Sequence, residues 1–364
     1  MYIEIEPFDT LFFRNGKPYD AGYETYGECM FPPYPSVIYG ALRTVYFSNN
    51  PEELCKANTY EDPTVNLRVK GIYYKTEKYT CLPIPYDLMQ IKNKSKEQRN
   101  KENFLKEYDT VSLKYRKLIG QTSAKNISGT LGYKEEVEDI PDGLIDCGSF
   151  EDYISGFTDG IKVIRFRDHA SSEYKTIIKI DRRLHASEET KLCQMPMTRL
   201  KDISICVEFE GLKIPEKGII KLGGEGKAAK YRVSQFYSIK KPKIGSKYFK
   251  LYISTPAVFK NGWIPGWINK DTMQGEYAGL KVKLLTASIG KYIYIGGFDM
   301  KRNCPKPMKR AVPAGSVYYF EILDGNSDMA VELFHGKSVS EFDTAIQGFG
   351  ISYVGKLREE EIKL

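Results

Sequence analysis

Ile3-Glu4-Ile5-Glu6-Pro7, followed by Leu11-Phe12-Phe13-Arg14-Asn15-Gly16, has an echo later in the chain. It returns at Phe249-Lys250-Leu251-Tyr252-Ile253-Ser254-Thr255-Pro256, followed by Ala257-Val258-Phe259-Lys260-Asn261-Gly262. Alternation with a period of two is the mark of a strand with two unlike faces. A proline cannot continue the ladder, and Asn-Gly favours a turn. The echo is too short to prove a duplication, but it points to two similar α+β halves. We therefore expect domains at 1–246 and 247–364. Between strand and strand, Pro32-Pro33-Tyr34-Pro35 leads to Ser36, placed as an N-cap, with Val37, Ala41, Leu42 and Val45 at helical spacing. Further strands are expected at Ser204–Glu210, Gly218–Leu222, Lys281–Leu285, Tyr292–Gly296 and Ser316–Ile322. No long βαβα alternation occurs, which disfavours a doubly wound sheet.

Composition narrows the class. With 364 residues, 41% hydrophobic and 28% charged, the chain can bury a sizeable core. The net charge of +7 is compatible with a phosphate-rich partner without demanding one. The 27 Tyr and 18 Phe suit strands, and exposed rings can stack on bases. Seven cysteines with no C-x-x-C pair argue against a zinc ribbon or a secreted disulfide framework and for reduced thiols in the cytoplasm. The N-terminus lacks a signal-peptide pattern, and no apolar run is long enough to span a membrane. Residues 91–118 are Lys-rich with little apolar periodicity; they fit a solvated basic insertion or an RNA contact.

The enzyme templates fail. Gly350-Ile351-Ser352-Tyr353-Val354-Gly355-Lys356 has P-loop spacing, but Leu357 stands where Ser or Thr must hold magnesium. Three histidines make no H-x-x-x-H pair, and the carboxylates make no two-metal pattern, so neither cofactor nor metal is expected. His169 and His185 are the sole candidates for a general base. What remains is phosphate and base recognition. Gly223-Gly224-Glu225-Gly226-Lys227 lets backbone approach a ligand closely and suits an anion nest or a tight hairpin turn. A second basic run, Lys301-Arg302-Asn303-Cys304-Pro305-Lys306-Pro307-Met308-Lys309-Arg310, is stiffened by two prolines. Trp263 and Trp267 fit an inter-domain wedge better than a stacking platform.

Together these segments resemble one family, the third subunit of the Cmr complex, a RAMP-superfamily protein of type III-B CRISPR systems. The carrying residues are Pro7-Phe8-Asp9-Thr10-Leu11-Phe12-Phe13-Arg14, Pro33-Tyr34-Pro35-Ser36 with Gly40-Ala41-Leu42-Arg43, and Leu222-Gly223-Gly224-Glu225-Gly226-Lys227-Ala228. Thr255-Pro256-Ala257-Val258-Phe259 and Pro307-Met308-Lys309-Arg310-Ala311-Val312-Pro313 complete the set. The resemblance implies two ferredoxin-like (RRM-like) domains with insertions and a protruding β-hairpin, which we place within 123–185. It implies a non-catalytic subunit that holds the repeat-derived 5′ tag of the crRNA and docks the large polymerase-like subunit and the first backbone subunit. The candidate RNA-binding residues are Ser36, Arg43, Gly223, Gly224, Gly226, Lys227, Lys306, Lys309 and Arg310. Lys227 stands where arginine is frequent in the family and lacks the bidentate fork. The rival readings are a RAMP-type endoribonuclease using His185 or His169 without metal, and the equivalent subunit of a type III-A complex.

Overall fold

The computed structural model describes residues 1–14, 29–92, 105–107, 110–117, 126–158, 160–181, 186–235, 237–299, 304–357 and 362–363. Two large sheets carry the fold. Among the described residues the first has nine strands, four of which form its centre in the order Ala228–Val233, Tyr2–Pro7, Ile203–Glu210, Arg68–Thr76, antiparallel throughout. Helix α1 (Pro35–Asn49) carries the chain from Tyr2–Pro7 over the sheet to Arg68–Thr76. The six-stranded second sheet repeats the arrangement with Ile351–Lys356, Tyr248–Ile253, Val317–Asp324 and Leu280–Ser288. Its crossing helix α3 (Ser327–Phe334) joins Val317–Asp324 to Ile351–Lys356. The first half makes the corresponding connection, from Ile203–Glu210 to Ala228–Val233, with the strand Lys217–Lys221 and the glycine-rich loop instead of a helix. The loop thus lies at a sheet edge. The boundary expected at 246/247 falls between Ala228–Val233 and Tyr248–Ile253.

Alternation along the strands sorts the side chains into three apolar layers. Ile3, Ile5, Ile72, Ile205 and Val207 face α1, whose Ile38, Leu42 and Val45 close the first outer layer. Phe249, Leu251, Phe320 and Val354 face α3 in the second. The opposite faces meet in a central layer rich in tyrosine, with Tyr2, Tyr73, Tyr252, Tyr319 and Tyr353. Helix α2 (Cys147–Ile154) joins that layer through Phe150 and Tyr153 and is capped by the Asp146 side chain, which accepts from the amides of Gly148 and Ser149.

Three expectations need correction. Ser36 is not the N-cap of α1: Tyr34 is, and Pro35 opens the helix. A proline has no N–H to leave orphaned and its φ is already helical, so the helix starts one residue early and Ser36 falls in its first turn. The long hairpin runs from Ala170–Asp181 to Ala186–Leu200, so it overlaps only the end of the 123–185 window. The tryptophans are neither wedge nor platform: Trp267 stacks on Phe320 and Phe334 in the outer layer of the second half. Most of the basic stretch 91–118 lies outside the described residues.

Candidate nucleic-acid interface

The glycine-rich loop is a tight turn docked on the segment Asp9–Phe13. The Leu222 amide donates to the Lys227 carbonyl (2.9 Å), and the Lys227 amide donates to that of Gly224 (3.2 Å). Gly223 has φ +85°, and a Cβ there would lie 2.5 Å from the Phe12 carbonyl, so only glycine fits. The turn is completed by Glu225 and Gly226 at φ +55° and +65°. Gly224, Glu225 and Gly226 are exposed, with open space beside Gly226. The expected nest of three glycine amides is incomplete, because the Gly224 amide already donates to the Phe12 carbonyl (2.9 Å).

Cations lie at this loop and along the strand that follows it, several of them held by carboxylates. Lys227 Nζ donates to Thr10 Oγ1 (2.9 Å) and Asp9 (3.2 Å). Asp9 also accepts from Arg199 (2.9 Å), at the end of the long hairpin, where Arg199 in turn holds Glu173. The Thr10 amide, then Lys227, holds the Asp9 carboxyl down at about 2, so it stays ionised at neutral pH. Lys230 pairs with Glu6 (2.8 Å), and Arg232 with Glu4 and Glu6 (3.3 and 3.4 Å). The pairs of Asp9 and Glu6 reach solvent and are weak, so a phosphate can replace the carboxylate there. Asp9 is then the internal competitor for any phosphate at Lys227 and Arg199. Asp9→Asn is expected to tighten single-stranded RNA binding about fivefold in a low-salt filter-binding assay. Equal or weaker binding would remove Asp9 from that role. Sequence reasoning missed Arg199, whose place beside the loop is set by the pairing of Leu11 with Thr198.

Residues 301–303 of the second basic run lie outside the described residues; the rest, 304–310, forms one side of a hairpin. Ile293–Ile295 pairs with Lys309–Ala311, and Phe298–Asp299 with Cys304–Pro305. Ile293 and Ile295 pack inward beside Tyr34 and Ala311, while Tyr292, Tyr294, Phe298 and Met308 are exposed. Lys306, Lys309 and Arg310 are exposed as well. Arg310 lies 5.0 Å from the Tyr292 ring and 6.0 Å from that of Tyr294, and Lys309 lies 4.5 Å from the exposed Phe342 ring. Hydrogen bonding from Tyr292, then from Arg310, lowers the Tyr294 hydroxyl from its ordinary range. The Tyr34 hydroxyl donates to the Tyr294 carbonyl, which brings the start of α1, and Ser36 with it, to this hairpin. The Phe13 ring packs beside Gly223 and lies 5.9 Å from that of Phe31.

Arg43 is differently employed. Its guanidinium donates to Thr64 (2.7 Å), Asn58 (3.0 Å) and Asp62 (2.7 Å), pinning the 58–64 loop to α1. His169 is 4% exposed at the base of the long hairpin, with Nδ1 3.2 Å from the Lys201 carbonyl. His185 lies outside the described residues.

With this geometry in view, the fold is that of a subunit of type III-B CRISPR assemblies. A chain of the type III-B Cmr-beta complex bound to cognate target RNA is similar at a TM-score of 0.51 and 16% identity, covering 88% of this chain and 86% of that one. A chain of the same kind of complex bound to cognate target RNA and AMPPnP gives 0.50 and 15% over the same shares. The chain itself belongs to the CRISPR-associated Cas_Cmr3 family, whose model matches residues 3–357, and is a CRISPR effector subunit. No curated protein sequence matches it.

Proposed function

We propose that this chain is the non-catalytic, RNA-binding subunit of a type III-B effector that holds the 5′ repeat-derived tag of the crRNA. The observation that carries the reading is the pairing of Ile293–Ile295 with Lys309–Ala311, beside which Arg310 and Lys309 lie against exposed rings of Tyr292, Tyr294 and Phe342. Single strands are read by stacking splayed bases on aromatic faces while cations follow the phosphates. Lys227, Lys306, Lys309 and Arg310 supply the cations, and the exposed turn at Gly224–Gly226 admits close approach of the sugar–phosphate chain. Arg43 is left out of this set, since its partner Asp62 is buried, unlike Asp9, and its other donors are taken by Thr64 and Asn58. We read each group of four central strands with its one helix as a ferredoxin-like domain in which the other helix of the plan, the second in the first half and the first in the second half, is exchanged for turns or a hairpin.

Gly224→Val tests the loop. A Cβ at Gly224 would lie 3.1 Å from the Phe12 ring, so the ring gives by a few tenths of an ångström and the fold survives. The branched side chain then covers the exposed face of the turn. Affinity for tag RNA is expected to fall about tenfold with the melting curve little changed; undiminished binding would take the loop out of the site.

Burial of His169 supports the non-catalytic reading, since a base acting on a 2′-hydroxyl needs access to it. Incubation of purified protein with repeat RNA in EDTA separates the two, as specific cuts would establish the endoribonuclease. Docking of the large polymerase-like subunit and of the first backbone subunit belongs to the same proposal, and co-purified partners distinguish a type III-B from a type III-A setting. Among the described residues no helix is long and apolar enough to cross a membrane.

A further inference from the structure

Between the two halves opens a cavity of about 520 Å³, separate from the glycine loop. Its first-half wall is aromatic: Phe31 stacks on Phe166 at 4.7 Å, with Tyr74 and Tyr86 beside them. Pro256 and Ile293 close it from the second half. Such a space takes one or two large side chains and is desolvated by them.

The rim has the opposite character to the rest of the molecule. The chain carries a net charge of +7, yet Glu135-Glu136-Val137-Glu138-Asp139-Ile140-Pro141-Asp142 holds five carboxylates and no cation. Asp139 and Asp142 both line the cavity and are exposed. Neighbouring cations offset part of this charge, with Lys92 at 2.7 Å from Glu136 and Arg167 at 3.8 Å from Asp142. Glu138 and Asp139 leave the strip negative. A phosphodiester approaching the cavity meets this field and is repelled, whereas a lysine or arginine is drawn in. An apolar anchor in a desolvated pocket with complementary charge at its edge is the usual make-up of a protein–protein hot spot.

We propose that this cavity is a docking socket for a segment of a neighbouring protein subunit, an aromatic or large aliphatic side chain flanked by lysine or arginine. The inference rests on the reading of the chain as part of a multi-subunit effector, but not on where RNA binds. It is tested in the assembled complex with p-benzoyl-phenylalanine replacing Pro141 at the rim. The expected crosslink joins this position to a peptide of another protein subunit that carries an apolar residue and a basic one within a few positions. A crosslink to RNA, to a segment without cations, or to nothing overturns the socket. The charge-reversed variant Asp139→Lys with Asp142→Asn is expected to weaken binding of that same subunit at least tenfold while leaving single-stranded RNA binding by the isolated chain undiminished. If subunit binding is unchanged, the socket fails even where RNA binding holds; if RNA binding fails while the crosslink holds, only the proposed tag-binding role falls.

Discussion

Asp87→Asn is expected to lower stability by about 3–5 kcal/mol, because it strands a buried ammonium. Asp87 is fully buried and Lys250 is 1% exposed, with Nζ 3.5 Å from the carboxylate. The same carboxylate accepts from the hydroxyls of Tyr153 (2.6 Å) and Tyr319 (2.7 Å). Without that charge, Lys250 keeps the face of the Tyr153 ring, 3.7 Å away, and at best a neutral amide oxygen, neither of which balances a buried ammonium. Lys250→Met is expected to be milder, since two hydroxyls still solvate Asp87. The double variant Asp87→Asn with Lys250→Met is expected to regain most of the loss, as replacing both members of a buried pair often does. Urea unfolding of the four proteins reads this cycle directly. A double variant no more stable than Asp87→Asn would show that the loss came from the tyrosine hydrogen bonds and not from the unpaired ammonium.

This pair also marks where the sequence stops being readable. Phe249-Lys250-Leu251-Tyr252-Ile253 alternates, so its strand was legible, and so was the Ser204–Glu210 strand. Alternation says that two faces differ; it does not say that both are covered. Lys250 reads as a solvent-facing residue, yet it points into the central layer with Tyr248 and Tyr252, because the second sheet lies against the first. Glu4 in the opening strand is likewise only 7% exposed, and it is tolerated because Lys75 (2.9 Å) and Ser204 (2.9 Å) satisfy it. The three residue clusters nominated for RNA were legible as types, but their state was not. The glycine turn could be read from Gly223–Gly226, whereas its partner Phe12 and the Asp9 bridge depend on contacts about 210 residues apart in sequence. Tyr292-Ile293-Tyr294-Ile295 read as a strand, but its pairing with Lys309–Ala311, which sets Arg310 against two tyrosines, is a tertiary fact.

That hairpin makes the second large prediction, with two variants leaving different signatures. Tyr292→Ala combined with Tyr294→Ala is expected to weaken single-stranded tag RNA by about 1–3 kcal/mol for each base that stacks there. The slope of log affinity against log salt should hardly move, since no phosphate contact is removed. Lys309→Ala combined with Arg310→Ala should instead flatten that slope by about 1.4, at about 0.7 for each phosphate contact on a single strand. Some salt-independent affinity should go with it, because Arg310 lies 5.0 Å from the Tyr292 ring and holds it for stacking. The pairs Ile293↔Ala311 and Ile295↔Lys309 are backbone ladders, and Ile293 and Ile295 stay in place, so the hairpin is retained in both variants. Fluorescence anisotropy with a labelled tag oligonucleotide over a salt series separates the two effects. Equal slopes in all three proteins would mean that Lys309 and Arg310 meet no phosphate; equal affinity after loss of both tyrosines would mean that no base rests on this hairpin, and the RNA path would have to be sought elsewhere.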